Sequence, residues 1–560
     1  PAPDPVPETA LTIVREQRPA EPGEPSPGGE LRLFVRSASL RDFSPAAMRQ
    51  DLQIPISYLD PLVWIDEVTM EPEPWLASSW GWSADGLTLT FVLREGVTWH
   101  DGTPLTAEDV AFSLQVYRDD RESAMARFLA LVSRIEVGGP GTVSVHFDEP
   151  DGAFLFIAAN LPVFQRAQYI DHWEARPVGE RTLAGFDWAA SVPQGTGPWR
   201  IAEIGDDRVR FVRNEAYWAG PPHFERLVLT AQDDQQARLD AWRSGEVDIV
   251  WPVRSTEMED LWGEEGQLFV AEAPVVFFAA FNRDNPANAT PDMMADPALR
   301  QALTLAVDRQ RYARELFFGF IDEMAAGTVT QPWAHDDSLR NPAFSIEEAN
   351  RMLDEGGWAD RDGDGLREDA RGNVLDLYCI VQETERPELL AILDRLGEDF
   401  ARIGARLTVE RLSADAFDER WTQNRMYDLI AYSLTQYAAF AEFDLYGSAW
   451  DIRTNRAGWN PGAYSNPEVD AAIQAYFAAW EQPAMRAALI DLQRAANADL
   501  FGLWFGFPRD LVLVRRDIRG FRPNKMHQTW GTRHLWRGEP VVPTPTPSPT
   551  PASTPAATPV

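Results

Sequence analysis

The clearest alternation of apolar and polar positions in the chain lies just after the pair Asp85-Gly86. One side of the pattern is formed by Leu87, Leu89, Phe91 and Leu93, and the other by Thr88, Thr90, Val92 and Arg94. This period of two predicts a half-buried β-strand. Because Asp-Gly is a tight-turn pair, the strand is expected to form a hairpin with the run that precedes it.

A capped helix is predicted after this hairpin. Thr106 is followed three residues later by Asp109, which is the spacing of a capping box. Val110, Leu114 and Tyr117 then recur on one helical face. Residues 74–117 are therefore expected to form a hairpin, an elbow and a helix in that order.

Similar patterns predict further elements along the chain. Strands are expected at 29–37, at 135–147 as a pair across a Gly-Pro-Gly turn, at 277–283 and at 407–412. Helices are expected from residue 297, over 389–403 and from residue 467. Asp296 and Asn466 each precede a proline, which suits a cap followed by the first helical turn. This mixture of helices and strands predicts an α/β protein.

The two ends of the chain differ in composition from its middle. Residues 1–29 contain eight prolines and four glutamates, and residues 540–560 are a low-complexity run of Pro, Thr and Ser. We expect disordered segments at 1–29 and 539–560, since neither composition supports a packed core. The chain starts at Pro1 and shows no signal peptide, which indicates a mature or trimmed form.

The charge balance excludes one class of partner. The chain has 51 basic and 86 acidic residues, a net charge of −35. Nucleic-acid binding requires a basic surface, so nucleic acid is not an expected partner. No run of about eighteen apolar residues occurs, so no transmembrane helix is predicted.

Enzyme motifs are lacking in this sequence. There is no GxxxxGK[ST] loop, GxSxG, HExxH or CxxC. Gly195-Thr196-Gly197 favours a strained turn over a phosphate loop, because no helix start follows it. Cys379, the single cysteine, lies in an apolar run and is predicted to be buried in a strand. A secreted glycoside hydrolase stays open, since two carboxylates in a tryptophan-lined cleft are enough for that activity.

One acidic loop has the spacing of calcium ligands. Acids occupy positions one, three and five, and glycine occupies position six, as in the first half of an EF-hand loop. Arg371 stands at position twelve instead of the usual glutamate, so a structural Ca²⁺ site and a metal-free acidic turn both fit. The ligands of the predicted site are Asp360, Asp362, Asp364, Leu366 and Glu368. No cofactor beyond this possible Ca²⁺ is expected.

Several segments resemble a known family in the same order. Residues 74–114 carry P-x-LA-x-SW, S-x-DG and TF-x-LR-x-GV-x-W-x-DG-x-PLTAEDV-x-FSL. Other matching segments are 195–201 (GTGPWRI), 214–220 (NEAYWAG), 296–309 (DPALRQALTLAVDR) and 464–473 (YSNPEVDAAI). This order is similar to that of the family 5 extracellular solute-binding proteins, the peptide, nickel and oligosaccharide receptors of ABC importers.

The resemblance implies a periplasmic-binding-protein-like α/β fold of type II, cluster C. It implies a base lobe, a small second lobe and a large third lobe, with a ligand cleft between base and third lobe that closes on the ligand. The expected boundaries are 30–67, 192–272 and 512–538 for the base lobe, 68–191 for the second lobe and 273–511 for the third.

The resemblance also implies a ligand site. Segment 432–459 mixes aromatic and acidic residues and corresponds to the stretch that faces the cleft in family 5 receptors. Asp444 is the first candidate to pair with a ligand amino group and Glu442 the second, although the local pattern departs from the D-[YW]-x-[DE]-P of peptide receptors. The predicted ligand-binding set is Asp444, Glu442, Tyr437, Phe440, Trp450, Trp459, Phe281, Asn282 and Arg283.

Function and partners follow from the same resemblance. We expect a non-enzymatic receptor that captures an oligopeptide and delivers it to the permease subunits of an ABC importer. An oligosaccharide is the alternative ligand, given 21 tryptophans, and nickel ranks third, given seven histidines. The expected protein is an exported monomer, periplasmic or at the cell surface, that meets the membrane only through a lipid anchor or the permease.

Overall fold

A computed structural model of the chain describes residues 11–15, 25–41, 43, 53–188, 191–288, 292–436, 443–455, 458–523, 529 and 531–539. The strands in these residues are β1 (Thr12–Val14), β2 (Glu30–Val35), β3 (Val63–Ile65), β4 (Pro72–Pro74), β5 (Ala77–Trp82), β6 (Thr88–Leu93), β7 (Val132–Gly139), β8 (Thr142–Phe147), β9 (Trp199–Ile204), β10 (Arg208–Arg213), β11 (Arg226–Ala231), β12 (Ile249–Val253), β13 (Gln267–Glu272), β14 (Val275–Phe281), β15 (Ile321–Asp322), β16 (Asp376–Gln382), β17 (Arg406–Leu412), β18 (Leu429–Thr435), β19 (Gly502–Val514), β20 (Ile518–Arg519) and β21 (Trp536–Arg537).

The α-helices of the same residues are α1 (Pro55–Tyr58), α2 (Ala107–Asp119), α3 (Phe154–Ile157), α4 (Arg166–Glu174), α5 (Gln235–Ser244), α6 (Met258–Leu261), α7 (Pro297–Leu305), α8 (Arg309–Phe317), α9 (Ile346–Glu355), α10 (Pro387–Ala401), α11 (Ala414–Glu419), α12 (Phe443–Tyr446), α13 (Pro467–Phe477) and α14 (Gln482–Ala498). The predicted α/β class is confirmed. Within the described residues, no helix is long and apolar enough to cross a membrane.

Most strands belong to one mixed sheet. Among the described residues it has thirteen strands, with the main order β17-β16-β18-β14-β19-β12-β2-β11-β10-β9. We call β2, β9–β13 and residues 509–514 of β19 the base unit. We call β14, β16–β18, residues 502–506 of β19 and helices α7–α14 the third unit. The expected lobe boundary between residues 511 and 512 falls inside the continuous strand β19, so the chain passes between units as a strand.

The core of the third unit lies between its strands and helices. Apolar side chains of β14, β16 and β18 pack against α7, α8 and α10 in one cluster. Cys379 of β16 is fully buried there, and burial raises the pKa of its thiol. The prediction of a buried strand cysteine is therefore confirmed, and its thiol is protonated at neutral pH.

A second sheet is formed by the predicted hairpin region. Its four antiparallel strands have the order β5-β6-β8-β7. The hydroxyl of Thr106 accepts from the Asp109 amide at 3.3 Å, and the Asp109 carboxylate accepts from the Thr106 amide at 2.9 Å. This is the predicted capping box at the start of α2. We call β5–β8 with α2–α4 the small-sheet unit.

The elbow after β6 is tied to the GTGPW segment through His100. Its Nδ1 accepts from the Gly195 amide at 3.2 Å, so its Nε2 carries the proton and donates to the Gly197 carbonyl at 3.0 Å. Burial lowers the pKa of His100 to about 4, so the ring is neutral at neutral pH. A Cβ at either glycine would overlap the backbone of Tyr58. The two glycines thus permit a close backbone approach.

The first described residues correct one prediction. Within the segment 1–29, expected to be disordered, β1 pairs in parallel with β13. Leu11 and Val14 are 4% and 7% exposed. The β-branched residues of β1 favour a strand, and β13 offers them a sheet edge to pair with. Composition alone does not reveal this partner. The expectation of a structureless linker is therefore wrong for these residues.

Candidate ligand-binding cleft

Two adjacent strands connect the base unit to the third unit. β13 pairs with residues 509–514 of β19, and β14 continues the same direction and pairs with residues 502–506. Gly506 lies at the crossing with φ +106°, and its Cα faces the Asp322 carbonyl so closely that a side chain would overlap it. A pair of linked strands with a glycine at the crossing is suited to act as a hinge, because few residues must change conformation when the units move.

Closely packed aromatic side chains, which we call the aromatic surface, lie on one face of the third unit, where Phe278, Phe501 and Trp504 are buried. The ring of Phe278 lies 4.5 Å from that of Tyr432 and 5.4 Å from that of Trp504. Phe501 extends the row, with its ring 4.6 Å from that of Tyr446. These rings belong to the same hydrophobic cluster as the base and small-sheet units, so this face is the one turned toward them.

The small-sheet unit touches the third unit directly, and we call these contacts the closure contact. The Gly152 amide donates to the Ala479 carbonyl at 3.3 Å. The ring of Phe156 stacks on that of Trp333 with centroids 4.9 Å apart. A Cβ at Gly152 would lie 2.8 Å from the Ala479 carbonyl oxygen, so only glycine fits this approach. The structure therefore shows the small-sheet unit packed directly against the third unit.

Trp480 adds to the closure contact a second place where a large side chain packs against a glycine. It lies between α13 and α14, and its ring packs against Gly86 in the turn between β5 and β6. A Cβ at Gly86 would lie 2.5 Å from that ring. Nearby, Gln482 donates to the Glu71 carboxylate at 3.1 Å. Large side chains of the third unit thus pack against glycines of the small-sheet unit.

Asp444 lies at the boundary between the same two units. It belongs to α12, is half-buried, and burial raises the pKa of its carboxyl, while Arg127 of the small-sheet unit partly offsets this. Among the described residues, no basic side chain lies within ion-pair distance of it. A half-buried carboxylate without a paired cation is suited to bind a ligand cation, and the guanidinium of Arg127 is suited to bind a ligand anion.

The other residues of the predicted set in segment 432–459 lie farther along the third unit. Trp450 is half-buried, and its ring packs on Gly447. Trp459 is 52% exposed and meets Trp421 edge to face at 4.8 Å. Tyr437, Phe440 and Glu442 lie outside the described residues.

Three members of the predicted set have partners within the third unit itself. Phe281 is 1% exposed and belongs to its hydrophobic core. The Asn282 amide donates to the carbonyls of Arg425 and Tyr427 at 3.0 and 2.8 Å. Arg283 pairs with Asp499 at 3.0 Å. Packing and backbone support account for these residues without a ligand.

The acidic loop brings its carboxylates together. Ligand atoms of Asp360, Asp362, Asp364 and Glu368 all lie within 4.8 Å of one another. The Asp360 carboxylate accepts from two loop amides, and Glu368, which is 6% exposed, accepts from the Arg361 amide at 2.8 Å. The Leu366 amide donates to Asp364 at 2.8 Å. Among the described residues, no ion pair neutralises these four acids.

Sequence reasoning missed the closure contact and Arg127. The only local signal at Gly152 is an Asp-Gly pair, which predicts a turn wherever it occurs. Phe156, Trp333 and Trp480 are apolar residues with nothing to separate them from ordinary core positions. Their roles depend on which distant segments meet, so no single-chain pattern identifies them.

The fold defines a class: a type II periplasmic-binding-protein-like architecture built from several α/β units. The particular family follows from comparison. The family model for bacterial extracellular solute-binding proteins, family 5 (middle), matches residues 71–451. The chain belongs to this family, whose members are solute-binding receptors and are extracellular.

Individual relatives are distant. A putative ABC transporter peptide-binding protein of Brucella ovis is 26% identical over 57% of this chain, and the match spans 58% of that relative's length. Di/tripeptide-binding protein 2 of Pseudomonas aeruginosa is 25% identical over 81% of this chain and 84% of its own. The chain thus spans a little over half the length of the Brucella relatives it matches.

Solved structures agree in fold. NikA from Brucella suis, in complex with Fe(III)-EDTA, has a TM-score of 0.75 at 20% identity and covers 91% of this chain and 100% of its own. The oligopeptide-binding protein AppA from Bacillus subtilis, in complex with a nonapeptide, has a TM-score of 0.66 at 18% identity, with 92% and 100% covered.

Proposed function

We propose that this chain is the extracellular receptor of an ABC importer that captures an oligopeptide between its units and delivers it to the membrane permease. Family membership and the peptide-binding names of the relatives support the receptor role. Closure around the ligand would create the surface that permease subunits recognise.

The observation that carries the peptide proposal is the pair of opposite charges at the unit boundary. Asp444 has no cation within ion-pair distance among the described residues, and Arg127 of the small-sheet unit lies close enough for its charge to lower the pKa of Asp444. A peptide carries an ammonium group at one end and a carboxylate at the other. Charge-assisted hydrogen bonds to both ends, with side chains on the aromatic surface, would hold it.

Asp444→Asn is expected to weaken binding of a free-amino tripeptide by about tenfold or more, because one charge-assisted hydrogen bond is worth about 1.5–3 kcal/mol. An N-acetylated tripeptide, which lacks the ammonium group, should bind wild type and variant alike. Titration calorimetry with both peptides measures the difference. Since burial raises the pKa of Asp444, affinity should also fall at mildly acidic pH.

Asp491→Asn is the matched control, since Asp491 is exposed on α14. An affinity of the Asp444 variant within twofold of wild type contradicts the site. Saturable binding of an oligosaccharide but of no peptide would favour the alternative ligand, which the tryptophan content supports. A chromogenic glycoside or peptide that is turned over, with loss of turnover in one carboxylate variant, contradicts the proposal that the protein is not an enzyme.

The remaining features follow from the receptor role. We propose that the chain is divided into the three predicted lobes and that these lobes move relative to one another when the receptor closes. We also propose that the protein acts as a monomer at the cell surface or in the periplasm, with a lipid anchor or the permease as its only link to the membrane. Native mass spectrometry tests the monomer, and fractionation with detection of lipidated peptides tests the anchor.

For the acidic loop we propose a structural Ca²⁺ bound by Asp360, Asp362, Asp364 and Glu368, with the Leu366 carbonyl as a further ligand. The convergence of four carboxylates without a neutralising ion pair supports it. Calcium at ten times its Kd should stabilise the fold by about 1.4 kcal/mol.

Thermal unfolding with calcium and with chelator measures this effect. Asp362→Asn with Asp364→Asn should abolish it, while Glu347→Gln, an exposed acid on α9, should not. No heat of binding and no shift of the midpoint at millimolar calcium would rule the site out.

A further inference from the structure

A cavity of about 440 Å³ lies on the base unit, away from the cleft. Its wall includes Arg213, His223, Arg533 and His534, with Glu215 as the one acidic residue. β2 and β11 begin at this end of the sheet, and β10 ends there. β12 runs parallel to β2, and along its length its partner in β19 changes from residue 514 to residue 511, the direction that leads to Gly506. The hinge therefore lies beyond the opposite ends of these strands. This cavity is therefore separate from the ligand-binding cleft.

The charges around the cavity are unusual for this chain. Arg533 has no ion pair among the described residues, but it contacts Tyr217, whose hydroxyl donates to the buried Asp60 carboxylate at 3.0 Å. Its guanidinium lies over the rings of Trp75 and Trp64, 4.4 and 5.0 Å from their centroids. Its Nε donates to the His534 ring at 2.9 Å. Arg213 pairs with Glu215, whose side chain is 69% exposed. Positive charge thus collects here in a protein whose net charge is −35.

Burial and nearby arginines lower the pKa values of the two histidines in the cavity wall. Partial burial lowers the pKa of His534, and Arg533 and Arg522 lower it further. Burial and then Arg213 lower the pKa of His223. No carboxylate among the described residues offsets these effects at either ring. Both imidazoles are therefore neutral at neutral pH, so the charged groups of the cavity wall are Arg213, Arg533 and Glu215.

We propose that this cavity binds a phosphate-type oxyanion, either free phosphate or the phosphate of a lipid headgroup. Guanidinium groups present planar donors that match the oxygens of phosphate, and an imidazole beside them adds one further donor. The groups that would hold the oxyanion are the wall residues Arg213, Arg533, His223 and His534.

The test is a titration of the full chain with inorganic phosphate at constant ionic strength, followed by the NMR signals of its seven histidines. The signals of His223 and His534 are expected to shift saturably, and the other five are not. Arg533→Gln should weaken phosphate binding at least tenfold. Because Arg533 also packs on two tryptophans, Arg213→Gln, at the other arginine of the cavity wall, gives the same test if that variant fails to fold.

Arg351→Gln, an exposed arginine on α9, is the matched control and should leave binding unchanged. A second arm measures sedimentation with phosphatidylglycerol vesicles against phosphatidylcholine vesicles. Selective sedimentation without saturable phosphate binding assigns the anion to a lipid headgroup, whereas saturable phosphate binding alone assigns it to free phosphate. No response in either arm overturns the proposal, as does a phosphate response that Arg213→Gln leaves unchanged.

Discussion

Gly152→Leu is expected to weaken ligand binding by about a hundredfold or more while leaving the thermal midpoint of the ligand-free protein unchanged. A Cβ at this position would lie 2.8 Å from the Ala479 carbonyl oxygen and 2.9 Å from Trp480 Cα, both backbone atoms of the third unit. Separating the units removes the overlap, so the substitution penalises only the closed state. If the closed fraction falls below about 1%, apparent affinity falls by about a hundredfold.

Small-angle X-ray scattering and calorimetry with a tripeptide measure the two parts of this prediction. The variant should show the larger radius of gyration of separated units, with and without peptide. Gly81→Leu is the matched control, because Gly81 lies on β5 of the same unit and a Cβ there meets nothing within 4 Å. An unchanged radius of gyration together with an affinity within threefold of wild type would show that the closure contact is dispensable.

Asp499→Ala is expected to destabilise the third unit by about 3–5 kcal/mol, the usual cost of leaving a buried charge without its partner. Asp499 pairs with Arg283 at 3.0 Å and with Arg300 at 3.1 Å. The Arg300 side chain is 2% exposed, and burial lowers its pKa to about 10. Two guanidinium groups, with side chains 14% and 2% exposed, would therefore lose their shared carboxylate, which is itself 27% exposed.

Denaturant unfolding measures this loss of stability. Arg300→Leu added to Asp499→Ala should recover part of it, because the uncompensated charge is then gone. Glu398→Ala is the matched control: its pairs with Arg311 and Arg395 lie on the surface, where such pairs contribute at most about 1 kcal/mol. A cost below about 1 kcal/mol for Asp499→Ala would return Arg283 to the set of free ligand-binding groups.

Elements whose cause is local were predictable from the sequence. The hairpin around Asp85-Gly86 and the capping box of Thr106 and Asp109 involve residues only a few positions apart. The proline-started helices α7 and α13 begin where their caps predict, at Asp296 and Asn466. Local backbone preferences and apolar period act over one or two turns, so a single chain carries them in full.

The candidate site was predictable only in part. Asp444 lies near Arg127 of the small-sheet unit and its ligand role stays a prediction, while Phe281, Asn282 and Arg283 have partners inside the third unit. The difference arises because burial and pairing depend on groups far away in sequence. Asp499 is 216 residues from Arg283, and nothing near either residue signals the other.

By itself the sequence determined the α/β class, the family and the start of the main helices, because these depend on short-range order and on motifs that recur in a fixed order. Only the tertiary structure decided that residues 12–14 join a sheet and that β19 crosses from one unit to the other. It also decided that Gly152 and Gly86 pack against residues of the third unit. These features are contacts between distant segments. Their energies exist only once the chain has folded, since the burial and backbone overlaps that define them have no counterpart along the sequence.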